Sequence, residues 1–353
     1  MNAVYLVGTF PPPLHGMAAV NAAMRERLLE AGFNVVTLNT APWSLNRSLV
    51  ARLTRIPRLL RVWCCLFSAR WRDKAIVVYL APAGGWGQIY DLITVSLCRA
   101  MRVKCVLHHH NWAYLYRCFR LMRWICRVAG PGSLHVVLCS RMGHALESKY
   151  FECRWCTLTN SALFNYEITT DVHSSLKNVG FLSNLTIDKG TDAVISIAYE
   201  IKRLKLGIRV IVAGPCHDAR LIKQLKMAMN DDVLEWRGAV YGVEKQQFWK
   251  DIDAFMFPSL NEAESLVIWE SLAAAVPVIA YDRGCTSGQI MKAGVVVPQD
   301  EDYIDSALRI ISIWQHDDQL YQVVSAMALG RLRDIKKQGK VELSTILSIL
   351  SDI

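Results

Sequence analysis

The sequence predicts an α/β protein with two doubly wound parallel sheets, one in each half of the chain. Three observations predict it. Short apolar runs of strand length alternate with helical patterns in both halves. A chain of 353 residues has room for about two domains. Hydrophobic residues make up 52% and charged residues 20% of it, which excludes a disordered chain, a coiled coil and a collagen.

In chain order, the first strand spans 4–8. The apolar start from Met1 to Phe10 lacks a basic leader and runs into Pro11-Pro12-Pro13, so it reads as a buried strand and not as a signal peptide. A helix over about 19–31 follows, then strands over 33–38, 75–80, 104–108 and 135–139 with helical patterns between them. Residues 160–177 are weakly patterned and rich in Asn, Thr, Asp and Ser, as expected of a linker. A second series of strands covers 178–182, 208–213, 254–257, 276–280 and 294–297, with apolar helical runs such as 193–204 between them. The expected domains are therefore 1–163 and 164–335, with a C-terminal helix in 336–353 crossing back to the first. Two doubly wound halves imply a cleft between them, where ligands of such sheets bind. Mean hydropathy is +0.20, yet no apolar stretch reaches the ~18 residues that span a bilayer.

The net charge of +9 is unevenly placed. Residues 44–127 carry fifteen Lys and Arg against Asp73 and Asp91, a net of +13, which leaves residues 128–353 at −4. Arg47, Arg52, Arg55, Arg58 and Arg61 interleave with leucines, Ile56, Val62 and Trp63, and Pro57 is expected to kink that helix. Arg117, Arg120, Arg123 and Arg127 interleave with Phe119, Met122, Trp124 and Ile125. Spacings of three and four gather the arginines of each stretch toward one side of a helix. Such helices suit an anionic membrane surface, or else form solvated faces over an ordinary core. No zinc finger, KH loop or RNP motif points to nucleic acid.

The eleven scattered cysteines read as reduced core thiols, as in the cytosol. Cys153 and Cys156 make the sole C-x-x-C pair. It supplies two of the four ligands a structural zinc needs, with no histidine at finger spacing, so no metal is expected. His108-His109-His110 ends a strand, and alternation puts His108 and His110 on one face. Ala83-Gly84-Gly85-Trp86-Gly87 lacks the spacing of a dinucleotide loop.

The chemistry concentrates in 253–280. A strand ends in Pro258-Ser259, a polar loop holds Glu262, and a helix carries Glu270 eight positions later. Carboxylates at the ends of parallel strands are costly to bury unless they bond a ligand, and sugar hydroxyls offer the donors. Backbone N–H groups at a helix start can hold a phosphate.

This block resembles the Glu-x7-Glu signature of retaining glycosyltransferases with the GT-B fold, two Rossmann-like domains facing a cleft, and is most like family 4. Ala263-Glu264-Ser265 stands where that family has Gly-Phe-Gly. The resemblance implies that Glu262 faces the donor sugar, that Glu270 binds the ribose, and that the amides of Ser265 and Leu266 hold the diphosphate. Residues 179–190 are similar to the family's strand–loop–Lys-Gly block. Lys189 there counters the leaving diphosphate, and Asn184 replaces the usual arginine. Residues 211–215 and 236–240, ending in Val240, resemble the blocks that line the base pocket. Pro11 to Met17 resembles the loop near the donor phosphates, with Gly16 kept and Met17 in place of a second glycine. His110, and secondarily His108, corresponds to a histidine that approaches the sugar.

The expected activity is transfer of a sugar from a nucleoside diphosphate sugar to an acceptor hydroxyl with retention, without cofactor or metal. The acceptor is expected to be a lipid-linked or membrane-associated glycan in cell-surface polysaccharide synthesis. The enzyme would be cytoplasmic and peripheral at the inner face of the plasma membrane, held through residues 44–127. Alternatives are a non-catalytic nucleotide-sugar-binding scaffold and a sugar-nucleotide epimerase of the same architecture.

Overall fold

The computed structural model describes residues 3–12, 16–41, 56–72, 76–150, 153–168 and 171–352. The chain divides into two compact units, one of residues 1–164 with 337–353 and one of residues 165–336.

In the first unit, β1 (Ala3–Gly8), β2 (Asn34–Asn39), β3 (Ile76–Leu80), β4 (Lys104–His108), β5 (Leu134–Val137) and β6 (Trp155–Thr157) form one parallel sheet. Their order is β2-β1-β3-β4-β5-β6. Helices α1 (Gly16–Glu30), α2 (Ile56–Arg72), α3 (Gln88–Ala100), α4 (Ala113–Tyr116), α5 (Arg120–Ala129) and α6 (Ser140–Tyr150) lie between the strands. β1 and β3 are apolar along their whole length and fully buried, as strands covered on both faces must be.

In the second unit, β7 (Asn178–Leu182), β8 (Arg209–Ala213), β9 (Glu235–Trp236), β10 (Ala254–Phe257), β11 (Val278–Tyr281) and β12 (Gly294–Val297) form another parallel sheet, ordered β9-β8-β7-β10-β11-β12. The helices are α7 (Thr191–Arg203), α8 (Ala219–Asn230), α9 (Gly242–Asp251), α10 (Leu266–Ala273), α11 (Thr286–Ile290), α12 (Tyr303–His316) and α13 (Asp318–Asp352). The period-2 geometry of the strands builds two cores. Val210, Val212, Ala254, Met256 and Ile279 fill one, while Ile211, Ala213, Phe255, Phe257, Val278 and Ala280 fill the other. The direction of strand addition reverses between β7 and β10, and such a reversal opens a crevice at the carboxyl ends of the strands.

The structure corrects several expectations. It adds β6 and β9, of three and two residues, too short to show a pattern in sequence. α1 starts at Gly16, so Gly16 and Met17 belong to its first turn and not to the preceding loop. Pro57 is the second residue of α2, where a missing N–H costs nothing, so it starts the helix instead of kinking it. Arg117 precedes α5 and is not on it. Arg47, Arg52 and Arg55 lie outside the described residues. Nine of the cysteines are free thiols. Among the described residues, no helix is long and apolar enough to cross a membrane.

Candidate functional site

In the second unit the loops after β7 and β10 meet. The β7 loop ends in a short 3-10 turn, Ile187–Lys189, closed by Gly190 in the left-handed region at φ 76°. A Cβ at Gly190 would stand 2.6 Å from the Pro258 ring, so only glycine lets the two loops approach this closely. The Leu260 N–H donates to the Asp188 carbonyl at 2.9 Å. This register sets the Lys189 ammonium against the Glu262 carboxylate, with Nζ to Oε2 at 2.5 Å. The Ser259 hydroxyl donates to the same Oε2 at 3.3 Å. Both charged side chains are half-buried. Gly284, also at positive φ, lies so close to the backbone of Glu262 and Ala263 that a side chain there would collide with it. The Cys285 N–H donates to the Ala263 carbonyl at 2.8 Å and pins the other side of the loop.

Ser265 and Leu266 stand where expected, at the start of α10. The Ser265 N–H, however, donates to Gln289 Oε1 at 3.1 Å, and Gln289 Nε2 donates back to the Ser265 carbonyl at 2.9 Å. That amide thus has a side-chain partner within the protein. Glu264 does not project as a second free acid either. It is buried and accepts the Trp269 indole N–H at 3.0 Å, which locks the loop onto α10.

Glu270 lies on α10 and pairs with Lys245 of α9 at 2.6 Å through Oε1. Its other oxygen, Oε2, is buried with no hydrogen-bond partner. An unsatisfied buried carboxylate oxygen costs at least ~1–3 kcal/mol, so it is poised to accept hydrogen bonds. Glu270 and Lys245 line a cavity of about 730 Å³ with Tyr166, His173 and Trp249. Glu262 is not part of its wall. The two glutamates of the signature are thus held by two different lysines in two different places. Asn184 is solvent-exposed. Val240 is packed into the apolar core of this unit.

In the first unit the sequence places His108 and His110 on one face, and their rings stand 3.8 Å apart. His108 is buried, and its Nδ1 shares a hydrogen bond with the Tyr79 hydroxyl at 2.8 Å. Burial pulls the His108 pKa well below the ordinary histidine value, and it pulls that of His110 down to about 3. Both are neutral imidazoles at physiological pH. The Nε2 atoms of both lack a partner, so each is free to give or take one hydrogen bond. His109 points elsewhere, to Tyr114 and His135.

Sequence reasoning missed Lys245, Gln289 and Gly284. Gly284 carried the usual glycine signal, but nothing local to Lys245 or Gln289 tells which loop each will meet.

Residues 172–326, nearly all of the second unit, match the family model described as glycosyl transferases group 1. No curated protein matches the sequence. Among solved structures, the chain is similar over its whole length to Anabaena Alr3699/HepE in complex with UDP. The TM-score is 0.71, the identity 16%, and all of both chains is covered. It is also similar to WaaG, a glycosyltransferase involved in lipopolysaccharide biosynthesis (TM-score 0.65, 12% identity, 99% of each chain). A third similar structure is the pneumococcal O-GlcNAc transferase GtfA in complex with UDP and GlcNAc. Its TM-score is 0.61 and its identity 14%, over 82% of this chain, which spans 59% of that one. Two parallel six-stranded sheets with flanking helices, taken with these similarities, are the two Rossmann-like domains of the GT-B fold. The chain thus has the GT-B fold, and its residues 172–326 match the glycosyl transferases group 1 model.

Proposed function

We propose that the protein is a retaining glycosyltransferase of the family 4 type that uses a nucleoside diphosphate sugar. The observation that carries this reading is the buried, unpartnered Oε2 of Glu270 beside Lys245 in a cavity of about 730 Å³. Ribose hydroxyls are donors that would satisfy this oxygen, and a cavity of this size holds a nucleoside. UDP in complexes of similar structures supports the choice of donor class.

In the same reading Lys189 serves the diphosphate. As found, its ammonium neutralises Glu262. A doubly charged leaving group would draw the lysine toward itself, stabilising charge as it develops. This exchange would free Glu262 for the hydroxyls of the transferred sugar. The acceptor hydroxyl would then attack from the face the diphosphate leaves, and the departing phosphate oxygen would take its proton. His110, a neutral imidazole with a free Nε2, is assigned to the sugar on the resemblance. No step of this scheme calls for a metal ion or cofactor.

The acceptor is proposed to be a lipid-linked glycan in cell-surface polysaccharide synthesis, met at an anionic membrane surface. Support comes from α2. Leu59, Val62, Leu66 and Ala69 bury one stripe of this helix, while Ile56, Leu60, Phe67 and Trp71 expose a second apolar stripe. Arg61 and Arg70 flank the exposed stripe, as in helices that lie in a headgroup region. The test of the enzymatic reading is donor turnover, with UDP sugars first. Glu262→Ala is expected to lower kcat by roughly 10²-fold or more while the protein stays folded. Donor binding without turnover in the wild type would leave the scaffold reading standing, and conversion of the donor without acceptor would favour an epimerase.

A further inference from the structure

Outside the donor machinery, the first unit gathers three soft ligands that lie far apart in sequence. Cys126 is on α5, His135 on β5 and Cys153 just before β6, and their ligand atoms all lie within 4.8 Å of one another. Each is placed by backbone. His135 is paired with Trp155 in the β5–β6 ladder, and its N–H donates to the Arg154 carbonyl at 2.9 Å, which brings it level with Cys153. Cys126 sits in the last turn of α5, whose end is closed by the Gly130 N–H donating to the Cys126 carbonyl. Cys126 and His135 are buried and Cys153 is half-buried. Both cysteines are free thiols.

The histidine is oriented from behind. His135 Nδ1 lies 2.9 Å from His109 Nε2, and His109 Nδ1 lies 2.9 Å from the Tyr114 hydroxyl. The two imidazole planes are within 12° of parallel. With Nδ1 engaged by His109, Nε2 is the nitrogen His135 has left for the thiols. An imidazole whose second nitrogen is held in this way is the usual state of a metal-ligating histidine. Two thiolates and an imidazole select zinc among common cellular ions, because soft sulfur disfavours magnesium and calcium. Bonds of ~2.3 Å to sulfur and ~2.0 Å to nitrogen require ligand atoms ~3.5 Å apart, so small side-chain rotations would close the triad.

We propose that Cys126, His135 and Cys153 form a binding site for a zinc-class divalent ion, with water in the fourth position. The ion would tie the C-terminal end of α5 to β5 and to the segment that leads into β6. It would be structural, and it is independent of the glycosyl-transfer reading. The neighbouring C-x-x-C partner Cys156 does not belong to the triad. Its strand position puts it in the ladder opposite Val136.

The probe is cobalt(II), added to the reduced, metal-free full-length protein. One ion per chain with a thiolate-to-cobalt charge-transfer absorption, displaced by zinc(II), is expected. Cys126→Ser and Cys153→Ser should each weaken binding by roughly 10-fold or more and diminish that absorption, and His109→Gln should weaken it by ~10–100-fold. Cys156→Ser should bind as the wild type does. A rise in Tm on adding zinc, present in the wild type and absent in Cys153→Ser, gives a second readout that does not depend on the spectrum. Three results would overturn the proposal: no charge-transfer absorption in the wild type, equal loss on Cys156→Ser, or a native Cys126–Cys153 disulfide that takes up no metal after reduction.

Discussion

Glu270 shows how one atom can define a site. Its Oε1 is held by Lys245, and its Oε2 is shielded from water and held by nothing. Glu270→Ala is expected to weaken binding of a UDP sugar by roughly 10-fold, about 1.4 kcal/mol, read as loss of the ligand-induced rise in Tm. An undiminished rise would remove Glu270 from the nucleotide site. Gly190 works in another way, through the space it leaves. At φ 76° and against Pro258, a methyl group meets both backbone strain and a collision. Gly190→Ala should therefore lower stability by about 2 kcal/mol or more, seen as a lower urea midpoint, and should displace Lys189 from Glu262. A midpoint unchanged within error would show that the two loops have slack. The sequence pointed to Glu262 and Glu270 through the strand–loop–helix stretch that carries them, and to Lys189 through the resemblance of residues 179–190 to a family block. It did not reveal that the Ser265 amide is taken by Gln289, because that contact spans 24 positions.

At the scale of elements, α2 carries two apolar stripes where a surface helix needs one. Leu60, Phe67 and Trp71 are 52%, 58% and 79% exposed, which the core does not account for. Changing all three to serine should abolish flotation with anionic liposomes while leaving Tm nearly unchanged. If the wild type shows no preference for anionic over neutral vesicles, the membrane assignment fails.

The segment leading into β7 is held by a different device. His173 presents Nδ1 to the Asp253 carboxylate at 3.0 Å and Nε2 to the Ala274 carbonyl at 3.1 Å. Both partners are acceptors, so the doubly protonated ring fits best. Burial works against the charge, but the two hydrogen bonds and the Asp253 charge prevail, and the pKa is raised above the ordinary value. A raised folded-state pKa adds stability that is fully present below the unfolded value of ~6.5 and is lost as pH rises through the folded value. The stability gap between wild type and His173→Gln should therefore be wider at about pH 6 than at about pH 9, by urea unfolding. An equal gap at both would mean that the ring acts as a neutral hydrogen-bonding group.

For the whole molecule, the C-terminal helix shows the limit of local pattern. The sequence suggests a helix only near the end of the chain, whereas α13 is a single helix of 35 residues. Its last part, residues 337–352, belongs to the first unit. There Glu342 accepts from the Thr157 hydroxyl at 2.7 Å and from the Thr159 N–H at 2.9 Å, contacts that span more than 180 positions. By itself the sequence determined the alternation of strands and helices, because a strand buried on both faces must be a short apolar run wherever it falls. It also marked the two acids and the lysine as candidates, since the blocks that carry them, and the resemblance of those blocks to a family, are local runs of residues. Only the tertiary structure decided strand order, the lysine each glutamate meets, and the gathering of Cys126, His135 and Cys153. Those are contacts between distant segments, fixed by packing and ladder register, and no local run of residues encodes them.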